Sequence, residues 1–235
     1  LNLTLDSFSD GGLYYDLNSA KQHIADMIKH GVDVIDIGAE STRSGFSDVS
    51  HLDQIQTLEP VIDFINEKFD VSISIDTRSS DVITNFKNKN ISFINDVSSG
   101  LNDSNMLECV AESGSNFIMT HMPEEHKKGE IKKFENILPE LDSFFNERID
   151  ACIQAGIDRE KIIIDPGIGF GKSGDDNLTI IRNLDHLFKI HNNICIGSSN
   201  KRFSSKLYDG VETKDDLKVA NLASFAICAL KGITY

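Results

Sequence analysis

The sequence predicts a (β/α)₈ barrel of the TIM type, and three observations carry that expectation. Eight short apolar runs rich in β-formers alternate with seven helical patterns along the chain, as parallel α/β proteins require. The runs repeatedly close on polar residues at their carboxyl ends, in DVIDIGAESTR, SISIDTR, FINDV, KIIIDPGIGFGKS and CIGSSNKR. The length of 235 residues suits one such barrel. A doubly wound open sheet is the alternative that the same alternation allows.

The elements follow in order. Strands are expected at residues 1–4, 33–38, 71–77, 92–97, 116–122, 161–167, 194–199 and 233–235. The first opens partway through a strand and the last stops just as one begins. The first strand and the last strand and helix therefore read as truncated. The helix at 19–30 is followed by Gly31, a fitting C-cap. The helix at 52–69 carries Ile55, Leu58, Ile62 and Ile65 three and four apart. Further helices are expected at 80–87, 105–113, 136–155, 177–190 and 214–231. Pro139 stands near the start of its helix, where a missing N–H is tolerated. There is no long linker, repeat or composition shift, so residues 1–235 read as a single domain. The long connections at 5–17, 38–50 and 123–135 include the first two strand-to-helix loops, and loops of that class lie on the catalytic face of barrels.

Composition narrows the function. Apolar content of 40% and charged content of 26% are ordinary for a globular protein. No run approaches the roughly 20 apolar residues of a membrane helix, and the first residues lack the pattern of a signal peptide. The expected location is the cytoplasm. A net charge of −14 argues against general affinity for nucleic acid or anionic membranes. An anionic substrate would then need local cations or a metal. Cys109, Cys152, Cys195 and Cys228 form no CxxC pair and read as small core residues.

Strand by strand, the carboxyl-terminal face is offered Asn2, then Glu40, Thr42 and Arg43, then Asp76, Asn95 with Asp96, His121, Asp165, and finally Lys201 with Arg202. Two carboxylates, two amides and a lysine in one mouth suit a planar heterocycle with an amidine-like edge. A carboxylate accepts two parallel N–H bonds, while amide and ammonium satisfy ring nitrogens and a carbonyl. The three alternating glycines after Asp165 leave room for such a flat ligand. Asp36, in mid-strand, is open to a structural or a catalytic role. His121 reads as packing rather than as a ligand, and His23, His30, His51, His126, His186 and His191 as solvent-facing. GIGFGKS is neither a phosphate loop nor GxGxxG, and no nucleophile elbow or zinc spacing is present.

In their order and spacing, LNLTLDSFSDGG, DIGAESTRSG, SIDTR, INDVSSG, DPGIGFGKS and GSSNKRF resemble the dihydropteroate synthase family of pterin-binding barrels, over essentially the whole chain. The resemblance implies condensation of 6-hydroxymethyl-7,8-dihydropterin pyrophosphate with p-aminobenzoate, giving 7,8-dihydropteroate and pyrophosphate. It implies that Asp165, Asn95 and Asp76 hold the pterin and that Lys201 reaches its carbonyl and N5. Thr42, Phe170 and Arg202 would lie near the aminobenzoate and Arg43 near the pyrophosphate, with Asp76, Lys201 and Arg43 as the catalytic group. Phe8 and Asp10 would belong to a mobile loop, Asn2 would contact Mg²⁺, and the protein would be a homodimer and a sulfonamide target. The chain departs from the family's usual pattern at Leu5, Ala39, Ser44 and Asn200, and the family's Arg and His after the eighth strand would lie beyond Tyr235. A pterin-binding methyltransferase domain and a catalytically silent homologue are the other readings of the same motifs.

Overall fold

A computed structural model of the chain describes residues 1–3, 17–42, 47–197 and 214–235. Its centre is a parallel sheet of five strands in strict chain order: β1 (Val34–Gly38), β2 (Ser72–Asp76), β3 (Phe93–Asp96), β4 (Asn116–Thr120) and β5 (Ile162–Asp165). Single bridges extend it on both sides, Asn2 pairing with Gly38 and Ile194 with Ile164, both parallel. Beyond Ile194 the ladder continues. The Tyr235 N–H donates to the Ile194 carbonyl at 3.1 Å, and the Ile196 N–H donates to the Tyr235 carbonyl at 3.0 Å. Segments of chain thus stand side by side in sequence order, without the reversal that defines a doubly wound sheet. The architecture is that of the barrel, with the predicted first, seventh and eighth strands present as short pairings.

The helices are α1 (Leu17–Lys29), α2 (His51–Lys68), α3 (Ser80–Phe86), α4 (Met106–Ser113), α5 (Glu124–Lys127), α6 (Ile137–Gln154), α7 (Gly174–Arg182), α8 (Leu184–Leu187) and α9 (Lys214–Leu230). Their starts are chemically specified. The Ser50 side chain accepts the Asp53 N–H, and the Asn136 side chain accepts the Leu138 N–H. Ser173 and Asp176 form a reciprocal capping box. Pro139 occupies the third position of α6, where its missing N–H has no partner to lose. Two expectations change. The helix expected at 177–190 starts earlier, at Gly174, because Ser173 caps it, and breaks at Asn183 (φ −117°, ψ 34°) into α7 and α8. The short α5 lies in a stretch expected to be loop.

Strand alternation divides the apolar residues into two cores. Ile35, Ile37, Ile73, Ile75, Ile94, Phe117, Met119, Ile162 and Ile164 face outward and pack beneath the helices. A smaller cluster of Phe93, Ile118 and Ile163, with Val34 and Cys195 against it, fills the barrel interior. All four cysteines are free thiols. Burial pushes the Cys152 thiol up to about 12, which keeps it protonated and inert. Among the described residues no helix is long and apolar enough to cross a membrane.

Candidate active site

The same alternation aims a polar set into the barrel. The register aligns Asp36 with Ser74 and Gly38 with Asp76, then Asp76 with Asn95 and Thr120 with Asp165. Asp36, Asp76, Asn95 and Asp165 therefore project to the interior near the carboxyl ends of their strands. The Asn95 amide nitrogen lies 3.3 and 3.4 Å from the two Asp36 carboxylate oxygens, long contacts that orient the amide. Asp36 is thereby an interior residue and a neighbour of the mouth. Asp165 accepts the Gly167 N–H at 2.8 Å, so its carboxylate is set by the glycine loop that follows it.

Carboxyl groups this close in a low-dielectric interior resist ionisation. Burial raises Asp76 well above the usual carboxylate range, and the charges of Asp36, Asp96 and Glu40 raise it further. Burial also raises Asp36, against hydrogen bonding from Ser74 and Asn95. The mouth is thus poised for N–H donors or positive charge, either of which restores the ionised form.

Three residues at this end have other duties. Asp96 faces away from the mouth because its neighbour Asn95 faces in. Its oxygens take the Ser98 N–H at 2.7 Å, the Ser98 hydroxyl at 2.6 Å and the Gly100 N–H at 2.7 Å, closing the turn after β3. Glu40 is buried against Arg78, accepting from Nε at 2.8 Å and Nη2 at 2.6 Å, and takes the Val49 N–H at 2.9 Å. That pair anchors the far side of the loop after β1. His121 is 3% exposed, its ring packed by Phe134 and Phe144, and burial lowers its pKa to about 2. It is a neutral packing residue.

The loop after β5 is built on backbone contacts. Lys172 is buried, and its ammonium donates to the carbonyls of His121 at 2.7 Å, Gly167 at 3.0 Å and Phe170 at 3.2 Å. Phe170 packs edge-on against His126, ring centroids 4.9 Å apart. The His126 Nδ1 accepts the Gly171 N–H at 3.1 Å while Nε2 lies 3.0 Å from the Thr42 carbonyl. Those partners fix the tautomer, with the proton on Nε2. His126 and His191 are buried, contrary to the solvent-facing positions expected of them. His126 is held by backbone groups of two other loops, and His191 by the distant Arg159 carbonyl and the nearby Asn193 N–H, bonds of which periodicity carries no trace.

Of the residues singled out by sequence, Asp76, Asn95 and Asp165 meet in the mouth. Thr42 and Phe170 meet beside it through His126. Asn2 is exposed at the end of its strand, next to Gly38. Arg43, Lys201, Arg202, Phe8 and Asp10 lie outside the described residues. Lys172 and His126 were missed. A lysine in a loop of glycines has mostly carbonyls to bond, and that was the available signal for the first. Among the described residues no group of three or more His, Cys, Asp or Glu side chains is placed to hold a metal ion.

Comparison with known proteins agrees with this fold and identifies a family. The family described as pterin binding enzyme matches residues 1–235. The dihydropteroate synthase of Escherichia coli strain K12 is 36% identical over 233 residues, covering 99% of this chain and 82% of its own. The Yersinia pestis dihydropteroate synthase in a sulfonamide drug complex superposes with a TM-score of 0.91 at 32% identity, over 100% of this chain and 84% of that one. The Xanthomonas albilineans dihydropteroate synthase with 4-aminobenzoic acid superposes at 0.89 and 31%, over 99% and 82%.

Proposed function

The chain belongs to the pterin-binding enzyme family and acts as a dihydropteroate synthase, and from that premise we propose how its residues divide the reaction. The enzyme joins 6-hydroxymethyl-7,8-dihydropterin pyrophosphate to p-aminobenzoate, in one pterin-binding domain spanning residues 1–235. Asp165 accepts the pterin's 2-amino and N3 protons as a bidentate pair. Asp76 and Asn95 bond further ring nitrogens, and Lys201 donates to the ring carbonyl and N5. Thr42, Phe170 and Arg202 line the aminobenzoate side. Arg43 takes charge from the pyrophosphate, and the loop of Phe8 and Asp10 closes over the bound pair.

No enzyme nucleophile is needed. The methylene C–O bond breaks, its electron pair leaves with pyrophosphate, and the electron-rich dihydropterin spreads the resulting positive charge. The Asp76 and Asp165 carboxylates favour that charge electrostatically. The arylamine nitrogen then forms the new C–N bond and releases its proton.

Mg²⁺ fits this site only as an ion shared with the substrate. Asn2 provides one exposed neutral oxygen donor, so the remaining ligands would be pyrophosphate oxygens and water, a usual arrangement for Mg²⁺. Bound there, the ion would neutralise the leaving pyrophosphate. That charge balance also reconciles an anionic substrate with a protein of net charge −14. A cytoplasmic homodimer sensitive to sulfonamides completes the reading.

The observation that carries it is the convergence of Asp76, Asn95 and Asp165 from β2, β3 and β5 in one mouth above a glycine loop. The test is pyrophosphate release from the pterin substrate with Mg²⁺, with and without p-aminobenzoate. Release that depends on p-aminobenzoate, with dihydropteroate formed, is expected. Binding of the pterin without any turnover would overturn the reading.

A further inference from the structure

We propose that His126 is a positioning residue for the aminobenzoate subsite, holding the loop after β1 in register with the glycine loop after β5. It belongs to neither loop. It stands on α5, in the connection after β4, and its imidazole reaches both. Nε2–H donates to the Thr42 carbonyl at 3.0 Å, and Nδ1 accepts the Gly171 N–H at 3.1 Å. The ring edge completes the contact against Phe170.

The surrounding backbone is built for this contact. Gly171 has φ +56°, and a Cβ there would lie 3.1 Å from the His126 Cβ and 3.2 Å from its backbone nitrogen. Only glycine lets the loop after β5 come this close to α5. The other side of Gly171 is held from the same connection, its carbonyl accepting the Lys132 N–H at 2.9 Å. One segment, residues 126–132, therefore grips Gly171, next to Phe170, and reaches across to the Thr42 carbonyl. The imidazole is buried, so the two bonds form in a low-dielectric setting where losing a partner leaves a backbone group unpaired.

The consequence is specific to one substrate. Thr42 and Phe170 lie on the aminobenzoate side in the function proposed above, and the inference rests on that reading. Asp76, Asn95 and Asp165 stand on strands that His126 does not touch in either bond, and Gly167, whose N–H sets Asp165, is held separately through its carbonyl by the Lys172 ammonium. Loss of His126 therefore loosens the acceptor subsite while the pterin grip persists.

Steady-state kinetics on three variants test this, with pterin binding and thermal midpoint measured on each. His126→Phe keeps a ring against Phe170 and removes both bonds. His126→Asn retains an acceptor for the Gly171 N–H, and His126→Gln retains a donor for the Thr42 carbonyl. His126→Phe is expected to raise KM for p-aminobenzoate about tenfold, the scale of one net hydrogen bond. His126→Asn and His126→Gln should fall between it and the parent, and KM for the pterin substrate should change less than about twofold in all three. Equal rises in both KM values, tracking the fall in midpoint, would reduce His126 to a structural residue and overturn the proposal. Phe170→Ala separates the two levels. If it raises KM for p-aminobenzoate and the His126 variants do not, the positioning role fails alone. If it leaves that KM unchanged, the assignment of the aminobenzoate side fails first.

Discussion

Asp76 shows how a single side chain trades stability for binding. Burial first, and then the charges of Asp36, Asp96 and Glu40, hold its folded pKa well above the usual carboxylate range. The folded protein therefore holds this proton to higher pH than the unfolded chain does. The associated stability is fully present below the unfolded pKa and is lost as pH rises through the folded one. Above the unfolded pKa the group therefore costs the barrel stability, and a bound ring with N–H donors offsets that. Asp76→Asn should accordingly raise the thermal midpoint by about 3 °C or more near pH 7.5, with the gain shrinking towards about pH 4, while pterin binding is lost. Calorimetric scans across that range check it. A gain of equal size at both pH values would show that the amide acts by packing and not by removing a buried charge.

At the scale of elements, the loop after β5 is decided by how closely backbones approach. Gly167 has φ +67°, and a Cβ on it would sit 2.2 Å from the His121 carbonyl oxygen, the same oxygen that takes the Lys172 ammonium at 2.7 Å. Gly114, the C-cap of α4, has nearly the same φ of +68°, but a Cβ there meets nothing nearer than the Lys161 Nζ at 3.7 Å. The two positions separate strain from space. Gly114→Ala should cost about 1 kcal/mol, and Gly167→Ala about 3 kcal/mol or more, measured from urea midpoints. Equal costs would mean that the loop can move off the His121 carbonyl. The sequence made the glycines of DPGIGFGK legible as open space beside Asp165, and the motif's aspartate does set that loop. It did not reveal that one of these glycines accommodates a neighbouring carbonyl, or that Lys172 binds the loop to β4. Both facts depend on where a separate strand ends. The same reason hid His126: its partners come from two other loops, so neither its spacing nor its neighbours in sequence carry the information. The break at Asn183 was hidden differently, because a helical apolar pattern continues through it.

Across the whole molecule, strand alternation accounts for which way each strand residue faces, and the mouth follows from it, although reading the sequence left Asp36 open and counted Asp96 with the mouth. The apolar interior cluster lies one inward step beneath the polar one: Val34 precedes Asp36 by two residues, Phe93 precedes Asn95, Ile118 precedes Thr120, and Ile163 precedes Asp165. Two residues of strand amount to about 6.6 Å, roughly the depth of one side chain, so the small inner core forms the floor on which the polar set rests. The outer core holds the helices and has no such relation to the mouth. Ile163 and Ile164 distinguish the two, being adjacent on β5, almost fully buried, and turned to opposite sides of the wall. Either change to alanine should destabilise the protein by about 2–5 kcal/mol through the cavity it leaves. Only Ile163→Ala removes support from beneath Asp165, so it should also weaken pterin binding about five- to tenfold, the scale of about 1 kcal/mol of lost orientation. Ile164→Ala should leave the affinity of the folded protein unchanged. Calorimetric titration of both variants with the pterin substrate, well below their melting temperatures, measures the difference. Equal losses of affinity would mean that the mouth is held by the fold as a whole and not by the floor beneath it.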